Sequence, residues 1–171
     1  MEFEKENNYI RLIGAADFDG IVEYAVSILR DGGVVLTPTD TVYGLICIPQ
    51  SAHAVQTIFE MKQRPLTQGL PIIAADQEQV EQELPVVWDD RARLLASHFW
   101  PGAMTIACGI RENNIAWLSG RDEAAIRVPD YLFVQELAKK LGLVDEVFKP
   151  GEDTLEQILK VTSRIPAGSP Q

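Results

Sequence analysis

The sequence predicts a single α/β or α+β domain built on one twisted sheet. Three observations carry this reading. Segments with helical and strand-like patterning follow one another in irregular order, with no internal repeat, low-complexity tract or linker before the C-terminal tail. The 171 residues suit one compact domain with a full core and would crowd two. Hydrophobic residues make up 46% and charged residues 23%, as in an ordinary globular chain.

The elements follow in order. In "FDGIVEYAVSILRDGG" the apolar residues Ile21, Tyr24, Ala25, Ile28 and Leu29 form a helical stripe that Gly32 and Gly33 close. "VVLTP" is a short β-branched strand ended by Pro38. "SAHAVQTIFEMKQRP" reads as a helix capped by Ser51 and stopped by Pro65. "LPIIAA" is a strand, and Asp76 with Gln79 makes a capping-box-like start to the next helix. "DDRARLLASHFW" is helical up to "PGAM", and "MTIACGI" returns as a strand. "AAIRVPD" is another strand, after which Asp130 caps the helix "YLFVQELAKKLG", stopped by Gly142. From residue 143 the chain reads as a tail with one short helix, Asp153 to about Val161, and a Pro-, Gly- and Ser-rich end.

Charge and cysteine usage narrow the function classes. The formal net charge is −10, so the surface as a whole repels a polyanion and any bound phosphate needs a local cationic site. That favours a small substrate over nucleic acid as direct partner. Cys47 and Cys108 lie in the apolar stretches "GLICI" and "TIACGI" and read as buried thiols in a reducing compartment. No apolar run reaches membrane-spanning length, and the start "MEFEKENNYI" is unlike a signal peptide, so the expected location is the cytoplasm, with no membrane association. There is no GxSxG, P-loop, GxGxxG or zinc-type Cys/His spacing. His53 and His98 fall within helices and read as surface or packing residues. No catalytic nucleophile and no metal-ligand set is expected.

The candidate binding residues each admit two readings. Lys62 and Arg64 end the helix after the hydroxyl-rich stretch "PTDTVYGL"; they either complement the helix C-terminus or meet an anion. Thr39, Thr41 and Tyr43 either satisfy a turn or line a pocket. Arg127 lies inside the apolar strand "AAIRV", where a lone cation is costly, so it requires an anionic partner or an exposed strand end. "FWPGAMT" reads as a helix stop with core aromatics.

Taken in order, "GGVVLTPTDTVYGL", "EMKQRP…GLPIIAA", "FWPGAMTI", "WLSGR" and "AIRVPD" resemble the YrdC-like family, in particular its bacterial threonylcarbamoyl-AMP synthase branch (TsaC), from about Arg30 through Gly142. The resemblance implies one YrdC-like (YrdC/RibB-like) domain over residues 1–171, with an open, twisted mixed sheet flanked by helices and a concave basic cavity. It implies condensation of L-threonine, bicarbonate and ATP, with Mg²⁺ on the triphosphate, into threonylcarbamoyl-adenylate and pyrophosphate. Partner proteins would then transfer the group to tRNA. Carbamate oxygen attacks the α-phosphorus, so positioning and charge neutralisation suffice without an enzyme nucleophile. On this resemblance Lys62 and Arg64 bind the triphosphate with Ser163, and Arg127 holds anionic substrate groups. Thr37, Thr39, Thr41 and Ser119 line the threonine and adenylate region.

The sequence departs from the family pattern in four places. Gln68 stands where a lysine or asparagine is usual, and Glu123 and Ala124 stand where a hydroxyl commonly precedes the arginine strand. The signature asparagine is missing on either of two alignments: "TSRIPAG" as the signature keeps Ser163 and has Ile165 in place of the asparagine, whereas "VDEVFKPGEDT" aligned with the family's late PG-E/D-T segment leaves the whole signature deleted. The chain also stops at Gln171, short of the usual length. These departures favour a second reading, a non-catalytic relative that binds nucleotide as a regulatory module. A third, recognition of double-stranded RNA by the concave face, is opposed by the net charge of −10.

Overall fold

The structure, a computed structural model, describes residues 17–63, 65, 69–111, 121–142 and 144–147. Helix α1, Phe18–Arg30, buries Ile21, Val22, Ala25, Val26 and Leu29. The predicted stripe is thus shifted slightly, with Tyr24 and Ile28 half-buried at its rim. Gly32 stops the helix with a φ of 78°, a conformation that favours glycine. Strand β1, Val35–Thr37, then pairs antiparallel with β2, Gly44–Cys47, in a register that sets Thr37 opposite Gly44. All of β2 is buried, so "GLIC" shows no alternation and its apolar run carried no strand signal of its own.

Helix α2, Ala52–Met61, starts where Ser51 accepts the Ala54 N–H. It ends before Pro65 is reached: Lys62 is the C-cap and Gln63 turns left-handed, with φ of 48°. The left-handed turn at Gln63 thus stops the helix short of Pro65. Strand β3 is Ile72–Ile73, and α3, Gln77–Glu83, carries the predicted cap, Asp76 Oδ1 accepting from Gln79 N at 2.8 Å. Helix α4, Asp90–Phe99, is capped by Asp89, and β4, Ile106–Gly109, pairs antiparallel with β5, Glu123–Arg127. Helix α5, Leu132–Leu141, has Tyr131 at its N-cap with no side-chain cap, not Asp130 as expected. Its start rests instead on backbone and on Gln135 Nε2, which donates to Pro129 O at 2.7 Å.

The largest departure from expectation is β6, Val144–Val147. These residues fell in the predicted tail, yet they form an inner strand of a six-stranded sheet ordered β1-β2-β6-β3-β5-β4. Two adjacent carboxylates in "VDEV" hide the strand, because β-propensity reports local burial and says nothing of a slot waiting between two strands. The β6 backbone pairs antiparallel with β2 and with β3, while β3 and β5 run parallel. The sheet is therefore mixed, as predicted. The helix expected over Asp153 to Val161 lies outside the described residues.

Alternation along the strands assigns the layers. Ile72, Ala124, Ile126 and Val128 pack with Val80, Ala92 and Ala96 of α3 and α4, while Leu45 and Cys47 pack with Ala54, Ile58 and Phe59 of α2. Ile46 and Ile73, of the opposite parity, pack with α1 and α5. Arg127 pairs beside Ile73 and shares its parity, so it projects from the α1 and α5 side of the sheet.

Candidate functional site

The site begins with a charge that cannot be left alone. Arg127 is 3% exposed, and a buried guanidinium needs an anion and acceptors for its remaining hydrogens. The structure supplies both from other parts of the chain. Nη2 is paired with the Asp40 carboxylate, Nη1 donates to Thr41 Oγ1 at 3.1 Å, and Nε donates to Gly102 O at 3.1 Å. The Gly102 N–H in turn donates to Val128 O at 2.8 Å, so residues 101–103 are fastened to the end of β5 from both directions. Three strand intervals separate β2 from β5 in the sheet order, roughly 14 Å at ordinary spacing. The turn between β1 and β2 therefore leans across the sheet to reach Arg127.

Within that turn the hydroxyls hold the backbone. Thr39 Oγ1 donates to Val42 O at 2.7 Å and accepts the Thr41 N–H at 3.2 Å, and it lies 3.3 Å from Thr41 Oγ1. Side chains that bond the backbone two or three residues on are the usual device for closing such a turn. Val42 and Tyr43 stand outward, Tyr43 at 57% exposure. Thr37 differs from its neighbours: it is buried in β1, and its hydroxyl donates to Pro38 O at 3.1 Å.

Of the residues expected from the sequence, the structure brings together Thr39, Thr41 and Arg127, with Thr37 one step back in the strand that feeds the turn. Lys62 is half-buried at the C-cap of α2, a helix that packs against the opposite face of the sheet. Arg64, Gln68, Ser119 and Ser163 lie outside the described residues. His53 and His98 are exposed, and both cysteines are buried; burial, aided by Asp89, pushes the Cys108 thiol up. Among the described residues no group of three or more His, Cys, Asp or Glu is gathered in a way that could hold a metal ion.

The family model described as "Telomere recombination", Sua5_yciO_yrdC, matches residues 27–170. The chain belongs to the Sua5/YciO/YrdC family. It is 37% identical over 122 residues to the threonylcarbamoyl-AMP synthase of Pseudomonas aeruginosa (strain UCBPP-PA14), covering 69% of this chain and 64% of that one. A threonylcarbamoyl-AMP synthase of Enterobacter sp. (strain 638) is 36% identical over 128 residues, covering 72% and 66%. The alignments thus span somewhat less than two thirds of these relatives' length. Among solved structures, P. abyssi Sua5 complexed with L-threonine superposes with a TM-score of 0.70 at 29% identity, over 81% of this chain and 43% of that one. E. coli YciO gives a TM-score of 0.66 at 25% identity, over 75% and 63%. The family match extends through the stretch read as a tail, in which this Sua5/YciO/YrdC chain places its inner strand β6.

Two site residues escaped the sequence reading. Asp40 sits between Thr39 and Thr41, and Gly102 sits in the Pro-Gly segment whose sequence signals a helix stop. A signal for Asp40 was present: a strand arginine demands an anion, and "PTDT" offers a carboxylate on a turn. The carbonyl of Gly102 has no sequence signal, since every residue carries one.

Proposed function

We propose that this chain forms threonylcarbamoyl-AMP from L-threonine, bicarbonate and ATP, a nucleotidyl transfer that starts threonylcarbamoyl-adenosine formation in tRNA. The observation that carries the reading is the hydroxyl turn pinned on a buried arginine, in a chain 37% identical over 122 residues to a protein named threonylcarbamoyl-AMP synthase. The L-threonine complex of P. abyssi Sua5, a structural neighbour at TM-score 0.70, supports an amino-acid site on this fold.

In this reading the threonine amine and bicarbonate condense to a carbamate with loss of water. A carbamate oxygen then forms a bond to the α-phosphorus as the bond to pyrophosphate breaks. Lys62, Arg64 and Ser163 hold the triphosphate in a concave basic cavity. Thr37, Thr39, Thr41 and Ser119 line the threonine and adenylate region, and Arg127 belongs to the same wall. Mg²⁺ comes with the triphosphate, as it does where substrate phosphates and water supply most of its ligands; no acidic trio among the described residues marks a separate cage. Catalysis rests on positioning and on neutralising phosphate charge. The product passes to partner proteins that modify tRNA in the cytoplasm.

A second reading, a nucleotide-binding relative without turnover, is favoured by Gln68 and Ile165. Loss of one charge-assisted contact costs about 1.5–3 kcal/mol, so two could lower a rate by a few orders of magnitude while the fold stands. Pyrophosphate release from ATP, Mg²⁺ and bicarbonate, with and without L-threonine, separates the two. Threonine-dependent release that Lys62→Ala abolishes supports the synthase. ATP binding by a folded protein with no release supports the binding module. Strong duplex-RNA binding is expected of neither, given the net charge of −10.

A further inference from the structure

We propose that Trp100 is a positioning residue for Arg127. Its indole N–H closes the neck of the loop whose tip carbonyl holds the arginine, and through the arginine it sets the turn between β1 and β2. What that turn serves is taken from the synthase reading above; the strut itself stands on geometry alone.

Residues 100–104 lead from α4 toward β4 and have few side chains to hold them. Pro101 and Ala103 are exposed, and Gly102 has no side chain. The tip is nonetheless fixed twice on the end of β5. The Gly102 N–H donates to Val128 O at 2.8 Å, and the Arg127 Nε–H donates to Gly102 O at 3.1 Å. The neck is fixed by Trp100, whose Nε1–H donates to Met104 O at 2.7 Å. Trp100 in turn stacks on Trp88, with ring centroids 5.6 Å apart and planes 21° apart. Trp88 Nε1 donates to the Glu81 carboxylate of α3 at 2.8 Å. Trp88 is buried, and Trp100 and Met104 pack on the core cluster that contains it.

Atom type fixes the direction of each of these bonds. Indole and guanidinium nitrogens only donate, and carbonyl oxygens only accept. Glu81 therefore holds Trp88, Trp88 supports the ring of Trp100, Trp100 closes the loop, and the loop presents Gly102 O to Arg127. Arg127 ties down the turn through Asp40 and Thr41. Its Nη1 and Nη2 face the turn while Nε faces the loop, so a displaced Gly102 O tilts the plane on which the turn is held. A misplacement of about 1 Å from a remote change can cost about a hundred-fold in rate, so a neck closed by one hydrogen bond bears on function.

The test is Trp100→Phe, which keeps an aromatic ring against Trp88 and removes the N–H. Val80→Ala, in the same core cluster, controls for general loosening. The Arg127 Nε–H is followed by nitrogen–proton NMR, assigned through its own side-chain carbons, and Tm is measured for each variant. In Trp100→Phe the Arg127 resonance moves and its exchange with water speeds by about ten-fold or more, at a Tm loss of about 2–6 °C. Val80→Ala loses as much or more in Tm and leaves that resonance in place. An unmoved resonance in folded Trp100→Phe would overturn the proposal, as would an equal shift in Val80→Ala. If Trp100→Phe does not fold, Trp88→Phe keeps a ring and cuts its tie to Glu81. Exchange faster by about two- to three-fold then supports the strut, and an unmoved resonance rejects it. In pyrophosphate release, kcat/KM for L-threonine falls about ten-fold in Trp100→Phe and stays within about two-fold in Val80→Ala. Equal kcat/KM in Trp100→Phe and wild type also overturns the proposal. Absence of threonine-dependent release by the wild type counts against the synthase reading instead, and the Arg127 resonance alone then decides the strut.

Discussion

Gly102 sits where no side chain fits. A Cβ would lie 2.5 Å from Phe99 O, while the residue's own carbonyl takes the Arg127 Nε–H. Gly102→Ala therefore forces the backbone to shift and strains an arginine contact; it should lower stability by about 1–3 kcal/mol, read by urea unfolding. Gln63 poses the opposite problem, a side chain present where the backbone has turned left-handed, with φ of 48°. The turn falls next to Lys62, one of the cations assigned to phosphate. Gln63→Val should cost about 1–2 kcal/mol by the same measurement, because β-branched residues tolerate that conformation poorly. Equal stability of the Gln63→Val variant and wild type would show that the turn relaxes. Glu81 illustrates a residue tied to its surroundings by acceptance: it receives Gln77 Nε2 and Trp88 Nε1, both at 2.8 Å, and Arg93 Nε at 3.4 Å. The Gln77 hydrogen bond first, then those of Trp88 and Arg93, hold its carboxyl below the ordinary 4.5. A lowered folded-state pKa gives stability that is present above the ordinary value and lost as pH falls through the lowered one. The stability gap between wild type and Glu81→Gln should therefore be full at neutral pH and close in acid, as followed by Trp fluorescence.

At the scale of elements, α3 shows how one cap can join two helices. Asp76 accepts the Gln79 N–H, and Gln79 Oε1 returns to accept the Ala75 N–H at 2.7 Å. The reciprocal pair was legible from Asp76 and Gln79 alone. What was not legible is that Gln79 Nε2 also donates to Ala138 O at 2.9 Å, a carbonyl in the last turn of α5 that has no helical partner. Asp76→Ala should cost about 0.5–2 kcal/mol as a cap loss. Gln79→Ala should cost more, about 2–3 kcal/mol, because it strands a donor and an acceptor on two elements. Chemical denaturation of both variants orders them, and a larger loss in Asp76→Ala would contradict the bridging role. Other elements were readable in the same local way. Ser51 and Asp89 cap where a hydroxyl or carboxylate precedes a helical stripe, and Ile106–Gly109 follows a Pro-Gly stop. Asp130 misled because a capping residue type was present one position before the N-cap.

For the whole molecule, the decisive element is β6. It lies between β2 and β3, so the strands read from residues 35–127 make two separate ladders until residues 144–147 close the gap. A chain cut after Gly142 should lose cooperative thermal unfolding, with unpaired inner edges on β2 and β3 promoting association. A cooperative monomeric transition in that truncated chain would show that the two halves fold without the strand. The same arrangement explains the reach of the site. A turn on one side of β6 and an arginine beyond β3 meet only because the sheet holds them at a fixed separation.

The sequence by itself determined the local grammar of this protein: the caps, the helix stripes, the glycine stops, the acidic surface, and the five motif blocks that mark the Sua5/YciO/YrdC family. Each of these depends on neighbours a few residues away, so spacing and residue type are enough to read it. It also required that Arg127 find an anion, since burial of an unpaired cation is costly at any position. Only the tertiary structure decided that the anion is Asp40, 87 residues earlier, and that an acidic tetrapeptide forms an inner strand. Those outcomes depend on which groups the sheet brings within a few ångströms, and that information is distributed over the whole chain rather than written in any one stretch of it.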